Sequence, residues 1–138
     1  MKTQHPIELP PLRRGLHDLT ARIAAVVERS RPRVGLCHIF LQHTSASLLI
    51  QENADPRVLT DLEAWFSRMV PDGDPRYTHT EEGPDDMPSH LRAALTQPSL
   101  TVPISEGHLA LGTWQAIYLF EHRTAPHRRR LIITLDAD

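Results

Sequence analysis

Histidines and carboxylates at short intervals are the residues with which this chain could hold a divalent cation or move a proton near neutral pH. There are 9 histidines among 138 residues. His43, in His43-Thr44-Ser45-Ala46-Ser47, follows the apolar run Val34–Leu41 by two residues, so a strand end can present it from a rigid scaffold. His90 lies four residues after Asp86 and five after Asp85, and the i, i+4 spacing places Asp86 and His90 on one face of a helix. There the carboxylate could orient the imidazole or share a cation with it. His79 could complete a three-histidine set with His43 and His90, which suits a zinc-type site with one position open for water or substrate. Simpler roles compete at each position. Asp86 is also placed to cap a helix, and a lone histidine is often satisfied by its neighbours. No HExxH or paired CxxC pattern fixes the ligands.

Arg128, Arg129 and Arg130 form the only basic run. Strand alternation sends Arg128 and Arg130 to one side and Arg129 to the other. A guanidinium there could grip a phosphate bidentately, while a solvated turn explains the run equally well. Glu52 and Glu121 read either as buried acids near the site or as strand-end charges, with the second favoured because acids are seldom fully buried. Thr44, Ser45 and Ser47 serve either as ligand contacts or as backbone-bonding residues of a corner, with at least one expected to face the site.

These residues need elements to position them. Ile7–Leu9 reads as a short edge strand ended by Pro10 and Pro11. Leu16, Leu19, Ile23, Val26 and Val27 recur at helical spacing up to about Ser30, with Asp18 in the first turn. Val34–Leu41 and Ser47–Ile50 read as two neighbouring strands around the His43 corner. Asp55-Pro56 is a helix start, and Val58, Leu59, Leu62, Trp65, Phe66 and Met69 supply the apolar face. Residues 71–84, PDGDPRYTHTEEGP, lack an apolar period and form a long loop, either a site wall or disordered. Pro88 opens a short helix with Leu91, Ala94 and Leu95 inward. Leu100, Val102 and Ile104 alternate as a strand that Pro103 confines to an edge or a bulge. Gly107–Gln115, GHLALGTWQ, reads as a hairpin feeding a strand. Trp114–Phe120 and Leu131–Leu135 then close the chain as a β meander. This mixture predicts one α+β domain over residues 1–138, with mostly antiparallel sheet and a few helices. No GxGxxG fingerprint or Walker loop is present.

The formal charge is -2, from 15 basic and 17 acidic residues, which argues against nucleic-acid binding but leaves a small anionic ligand open. The single cysteine, Cys37, sits in an apolar run as a small hydrophobe. With neither a leader-like start nor a run of about 18 apolar residues, a cytoplasmic protein outside the membrane is expected.

Four stretches, taken together, are similar to one family. They are His43–Ser47, Glu52-Asn53-Ala54-Asp55-Pro56, Asp85-Asp86-Met87-Pro88-Ser89-His90 and Gly107–Gln115, with Glu121-His122-Arg123 and Arg129-Arg130 in the tail. In this order, over nearly the whole length, the chain resembles the YjbQ-like family, also called the secondary thiamine-phosphate synthases. The resemblance implies an α+β homotrimer with its motifs near a subunit interface and often a divalent metal ion, zinc or magnesium. It implies a weak condensation of hydroxymethylpyrimidine diphosphate with thiazole phosphate that releases pyrophosphate. On that reading the candidate catalytic residues are His43, Asp86 and His90. The ligand-binding residues are Ser45, Asn53, Gln115, Arg129 and Arg130, and the metal ligands are His43, His79 and His90. The alternative is a non-catalytic trimer that binds a small phosphorylated metabolite or a metal.

Overall fold

Alternating apolar residues in β3 (Gly35–Leu41), β5 (Ser99–Ser105) and β8 (His127–Ala137) turn one face inward, so the strands must stack that face on a second layer. The computed structural model describes residues 1–138 and shows that layer. With β1 (Lys2–Leu12) and the two-residue β6 (His108–Leu109), these strands form a five-stranded sheet in the order β1-β8-β3-β5-β6. A three-stranded sheet, β2-β7-β4, joins Gly15–Asp18, Gln115–Glu121 and Ala46–Glu52. Every strand pairing is antiparallel. Three helices complete an α+β domain: α1 (Thr20–Ser30), α2 (Pro56–Met69) and α3 (Asp86–Leu95).

The main core lies between the sheets and under α1, with Ile23, Val27, Ile39, Leu48, Leu119 and Ile133 sealed from solvent. Six of the seven residues of β7 are buried, because that strand is covered on both faces. Ile117 and Leu119 join the main core, while Phe120 meets Phe66 of α2 edge-on at 5.1 Å between ring centroids. Buried Cys37 packs as a small hydrophobe, and burial pushes its thiol up to about 11.

Several expectations need correction. β1 does not stop at the prolines: it runs to Leu12 with a register shift between Leu9 and Leu12. It remains an edge strand, paired only with β8, where the missing proline N–H groups cost no ladder bond. Leu16 belongs to β2 rather than to α1, which starts at Thr20 behind a bond from the Thr20 amide to Asp18 Oδ1 at 2.8 Å. Leu16 lies opposite Phe120, so pairing with β7 overrides its helical spacing. The face of α2 is covered only in part, with Phe66 buried but Trp65 and Met69 exposed. In α3, of the three residues expected inward, Leu91 is half-buried while Ala94 and Leu95 are exposed. The buried residues are instead Asp86, Pro88, Ser89 and Arg92, so the covered part of α3 is largely polar.

The strands flanking His43 are not neighbours. β3 pairs with β5 and β8, whereas β4 pairs with β7, so residues 42–45 carry the chain from one sheet to the other. For the same reason β7 and β8 form no meander: β8 inserts between β1 and β3, and residues 122–126 make a second crossing. Arg128–Arg130 accordingly lie inside β8 rather than in a turn, with Arg129 inward and its two neighbours outward, as alternation requires.

Candidate functional site

Both inter-sheet crossings emerge at the same end of the sandwich, because Ala46 pairs with Glu121 where β4 begins and β7 ends. The N-terminus of α3 docks against this end. Burial works against the charge of Asp85, but the Thr124 amide at 2.8 Å and the Arg123 guanidinium at 3.0 Å more than offset it and hold the carboxyl down at about 2. Arg123 also donates to Asp86 Oδ1 at 3.0 Å and to the Glu82 carbonyl at 2.9 Å. It clamps the start of the helix to the second crossing.

The other carboxylate oxygen of Asp86 faces two imidazoles. His79 Nε2 lies 2.7 Å from Oδ2 and His90 Nε2 lies 3.3 Å from it. The three ligand atoms all fall within 4.8 Å of one another. Asp86 is buried while both histidines reach solvent. Burial opposes the Asp86 charge, and the His79 hydrogen bond with the charges of His90 and Arg123 still keeps its pKa below the ordinary carboxylate value. The His90 tautomer follows from its second contact. Nδ1 donates to the Thr44 carbonyl at 3.1 Å, and a carbonyl only accepts, so in the neutral ring Nε2 keeps its lone pair. A lone pair aimed at a carboxylate oxygen is satisfied by a second proton or by a cation. Two imidazoles and a carboxylate, with one imidazole oriented by a carbonyl behind it, are a donor set suited to a zinc-type ion.

His79 reaches this cluster from the long loop, which walls the site. The Gly73 amide donates to the Pro84 carbonyl at 3.0 Å and closes the loop at its base. Gly73, Tyr77, His79, Thr80 and Met87 line a cavity of about 330 Å³ there.

His43 stands apart from the cluster. Its Nε2 accepts the Arg130 amide at 2.8 Å, and of the expected three histidines only His79 and His90 come together, with Asp86. Burial, then the charges of Arg129 and Arg130, lower the His43 pKa and favour the neutral ring. Arg129 is not offered to a ligand either. Its Nε and Nη2 each donate to Glu121 at 2.6 Å, and Nη2 also donates to the Ser45 carbonyl at 3.2 Å. Glu121, read as a strand-end charge, is fully buried. Arg130 is exposed and forms no ion pair.

Asn53 and Gln115 occupy the opposite end of the small sheet. Glu52 pairs with Gln115 six residues along from the Ala46–Glu121 pair, a separation of roughly 20 Å at about 3.3 Å per residue. There the Asn53 amide donates to the Trp114 carbonyl at 3.0 Å, and Gln115 Oε1 accepts the Gly112 amide at 2.8 Å. Within one chain the four motifs therefore divide between two ends.

Arg123 and His122 are legible in the sequence only as members of the Glu121-His122-Arg123 triplet, with no role attached. Only the second crossing shows that Arg123 meets the start of α3. His122 is fully buried, its Nε2 2.8 Å from Ser47 Oγ. Burial, followed by the charges of Arg92, Arg14 and Arg129, pushes its pKa down to about 3 from 6.5. The unfolded chain therefore binds a proton at this residue between those values and the folded chain does not, so stability falls as the pH drops below 6.5. By about pH 4.5 the loss amounts to about 3 kcal/mol. Urea unfolding of wild type and His122→Gln at about pH 7 and about pH 4.5 checks this. The variant should lose much less stability on acidification, and equal losses would refute the assignment.

A two-sheet α+β sandwich with a histidine–aspartate cluster where its crossovers meet defines the structural class. The family described as UPF0047 protein YjbQ-like matches residues 5–138, and the chain belongs to it. It is 51% identical over 125 residues to UPF0047 protein sll1880 of Synechocystis sp., covering 91% of this chain and 85% of that one. It is 43% identical over 136 residues to UPF0047 protein YjbQ of Escherichia coli O157:H7, covering 98% of each. Protein TT1486 of Thermus thermophilus shares the fold with a TM-score of 0.85 at 30% identity, covering 96% of this chain and 99% of that one.

Proposed function

We propose that this end of the sandwich is a divalent-cation centre that binds a small phosphorylated metabolite, with His79, Asp86 and His90 as the metal ligands. The convergence of two imidazole Nε2 atoms on Asp86 Oδ2 carries the reading. The nitrogen-rich donor set favours zinc over magnesium, which prefers all-oxygen coordination. A bound cation supplies charge neutralisation to phosphate oxygens. Arg130, exposed beside His43, adds a guanidinium for the same oxygens. The loop cavity next to His79 offers room for the organic part of the ligand.

The reaction we propose is the condensation associated with secondary thiamine-phosphate synthases. The thiazole nitrogen forms a bond to the pyrimidine methylene carbon. The bond from that carbon to the diphosphate oxygen breaks, and its electron pair leaves with pyrophosphate. Stabilising that oxyanion is the main demand on the protein. Incubating zinc-loaded protein with hydroxymethylpyrimidine diphosphate and thiazole phosphate should release pyrophosphate above the protein-free rate, and Arg130→Ala should slow the release by about tenfold. Thermal stabilisation by these compounds without release would favour the non-catalytic binder.

We propose a cytoplasmic homotrimer as the working form. Trp65, Met69, Leu95 and Trp114 are exposed apolar side chains that neighbouring copies could cover. In such an assembly the Asn53–Gln115 end of one copy is available to meet the histidine end of the next. Light scattering on the eluting protein should give three times 15.6 kDa, and a monomer would exclude it.

A further inference from the structure

A second polar cavity, sharing no residue with the histidine cluster or its loop, lies between the small sheet and the α2–α3 layer. It has a volume of about 170 Å³ and is lined by Arg14, Gly15, Glu63, Ser67, Arg92 and Phe120. Arg92 is the unusual member. It is only 3% exposed, donates one bond from Nη2 to the Val70 carbonyl at 3.0 Å, and pairs with no carboxylate. Its Nε is buried without any acceptor. A buried guanidinium normally has a counterion and a full set of acceptors, because leaving either unmade is costly. Arg14, the other cation of the lining, is already neutralised: Nη1 and Nη2 bind Asp72 at 2.7 and 2.9 Å, and Nε donates to the His122 carbonyl at 2.7 Å. Arg92 is therefore the one cation of the lining that no carboxylate bonds.

Glu63 narrows the choice of anion. Its Oε1 accepts the Leu16 amide at 3.0 Å, so the carboxylate is fixed in the lining. The absence of a side chain at Gly15 keeps it there, as a Cβ at that position would come within 2.7 Å of Oε1. A fixed carboxylate opposes any anion made only of acceptors, but it accepts a hydrogen bond from an anion that still carries an acidic O–H. We propose that this cavity is a binding site for orthophosphate or a small phosphate monoester retaining one proton, with Arg92 holding the charge and Glu63 accepting the P–O–H. Ser67 supplies a hydroxyl that can donate or accept at the rim. Sulfate has the same size and shape but no proton to donate at neutral pH, so Glu63 disfavours it.

The test is a titration of metal-free protein, kept in chelator at about pH 6.5 and constant ionic strength, with inorganic phosphate and separately with sulfate, followed by thermal unfolding and by phosphorus NMR line broadening. Wild type should bind phosphate saturably and prefer it over sulfate by at least about tenfold, the cost of leaving two acceptors opposed. Glu63→Gln keeps an oxygen for the Leu16 amide and gains an N–H donor, so its preference should collapse towards unity through improved sulfate binding. Ser67→Ala, at an exposed position that leaves the fold intact, should weaken phosphate several-fold. Arg92→Met should abolish binding of both anions. Equal binding of phosphate and sulfate by wild type, no saturable binding, or an unchanged preference in Glu63→Gln would each overturn the proposal.

Discussion

Arg129→Met should lower the unfolding midpoint by on the order of 10–20 °C. Both carboxylate oxygens of Glu121 accept from the Arg129 guanidinium at 2.6 Å, and the side chains are 0% and 4% exposed. Removing the arginine leaves a carboxylate sealed in the protein with only the Arg123 amide, at 3.1 Å, to stabilise it. Breaking a buried pair from one side in this way costs about 3–5 kcal/mol. Arg129→Lys should recover only part of the loss, because an ammonium cannot reproduce the two parallel bonds or reach the Ser45 carbonyl as well. The double variant Glu121→Leu/Arg129→Met separates the pair from its charges. It removes both, so it should be markedly more stable than Arg129→Met, since a buried ion pair adds little net stability over apolar packing. Circular dichroism melts of the four proteins decide this. An Arg129→Met midpoint within about 2 °C of wild type would mean that Arg129 does not hold Glu121 as a buried ion pair.

Asp86→Asn should weaken zinc binding by at least about 100-fold, more than the loss of a supporting residue behind a ligand. The change is chosen for what it preserves. The amide oxygen of asparagine can still accept from Arg123 Nη1, which now bonds Oδ1 at 3.0 Å, so the clamp between the second crossing and α3 survives. The charged oxygen facing His79 and His90 is lost. His90→Ala should have a similar effect by removing one nitrogen, while His43→Ala should leave zinc affinity within a few-fold of wild type, because His43 Nε2 is engaged by the Arg130 amide. Calorimetric titration of zinc into chelator-treated protein measures all four constants. A wild type that takes up no zinc would remove the metal centre. Equal losses in His43→Ala and His90→Ala would restore the three-histidine set in place of the one drawn from the structure.

The local elements that the sequence made plain are those whose signal is carried by neighbouring residues. Asp55-Pro56 starts α2 as expected, with Asp55 Oδ1 accepting the Arg57 amide at 2.9 Å, because a cap and a first-turn proline act within three residues. The pairing of Asp86 with His90 on one face of α3 was likewise legible from helical spacing. His79 in the cluster was legible only as a candidate, since residues 71–84 have no period from which to place it. The inward face of α3 is not legible from its apolar residues. The helix is instead tied to the second crossing by Asp85 and Asp86, which accept from Arg123, and it buries Ser89 and Arg92 in place of Ala94 and Leu95.

By itself the sequence determined the α+β class, most strands and helices, the placing of Arg128 and Arg130 on the side opposite Arg129, and the family through its four ordered motifs. These follow from periodicity, capping and residue identity, which are properties of short stretches. The tertiary structure alone decided which sheet each strand joined, and hence that both crossings meet at one end and that Asn53 and Gln115 lie at the other. It alone decided that Glu121 is buried against Arg129 and that His79 and His90 converge on one oxygen of Asp86. Strand partnership and ion pairing are contacts between residues far apart in the chain, and no local spacing encodes them.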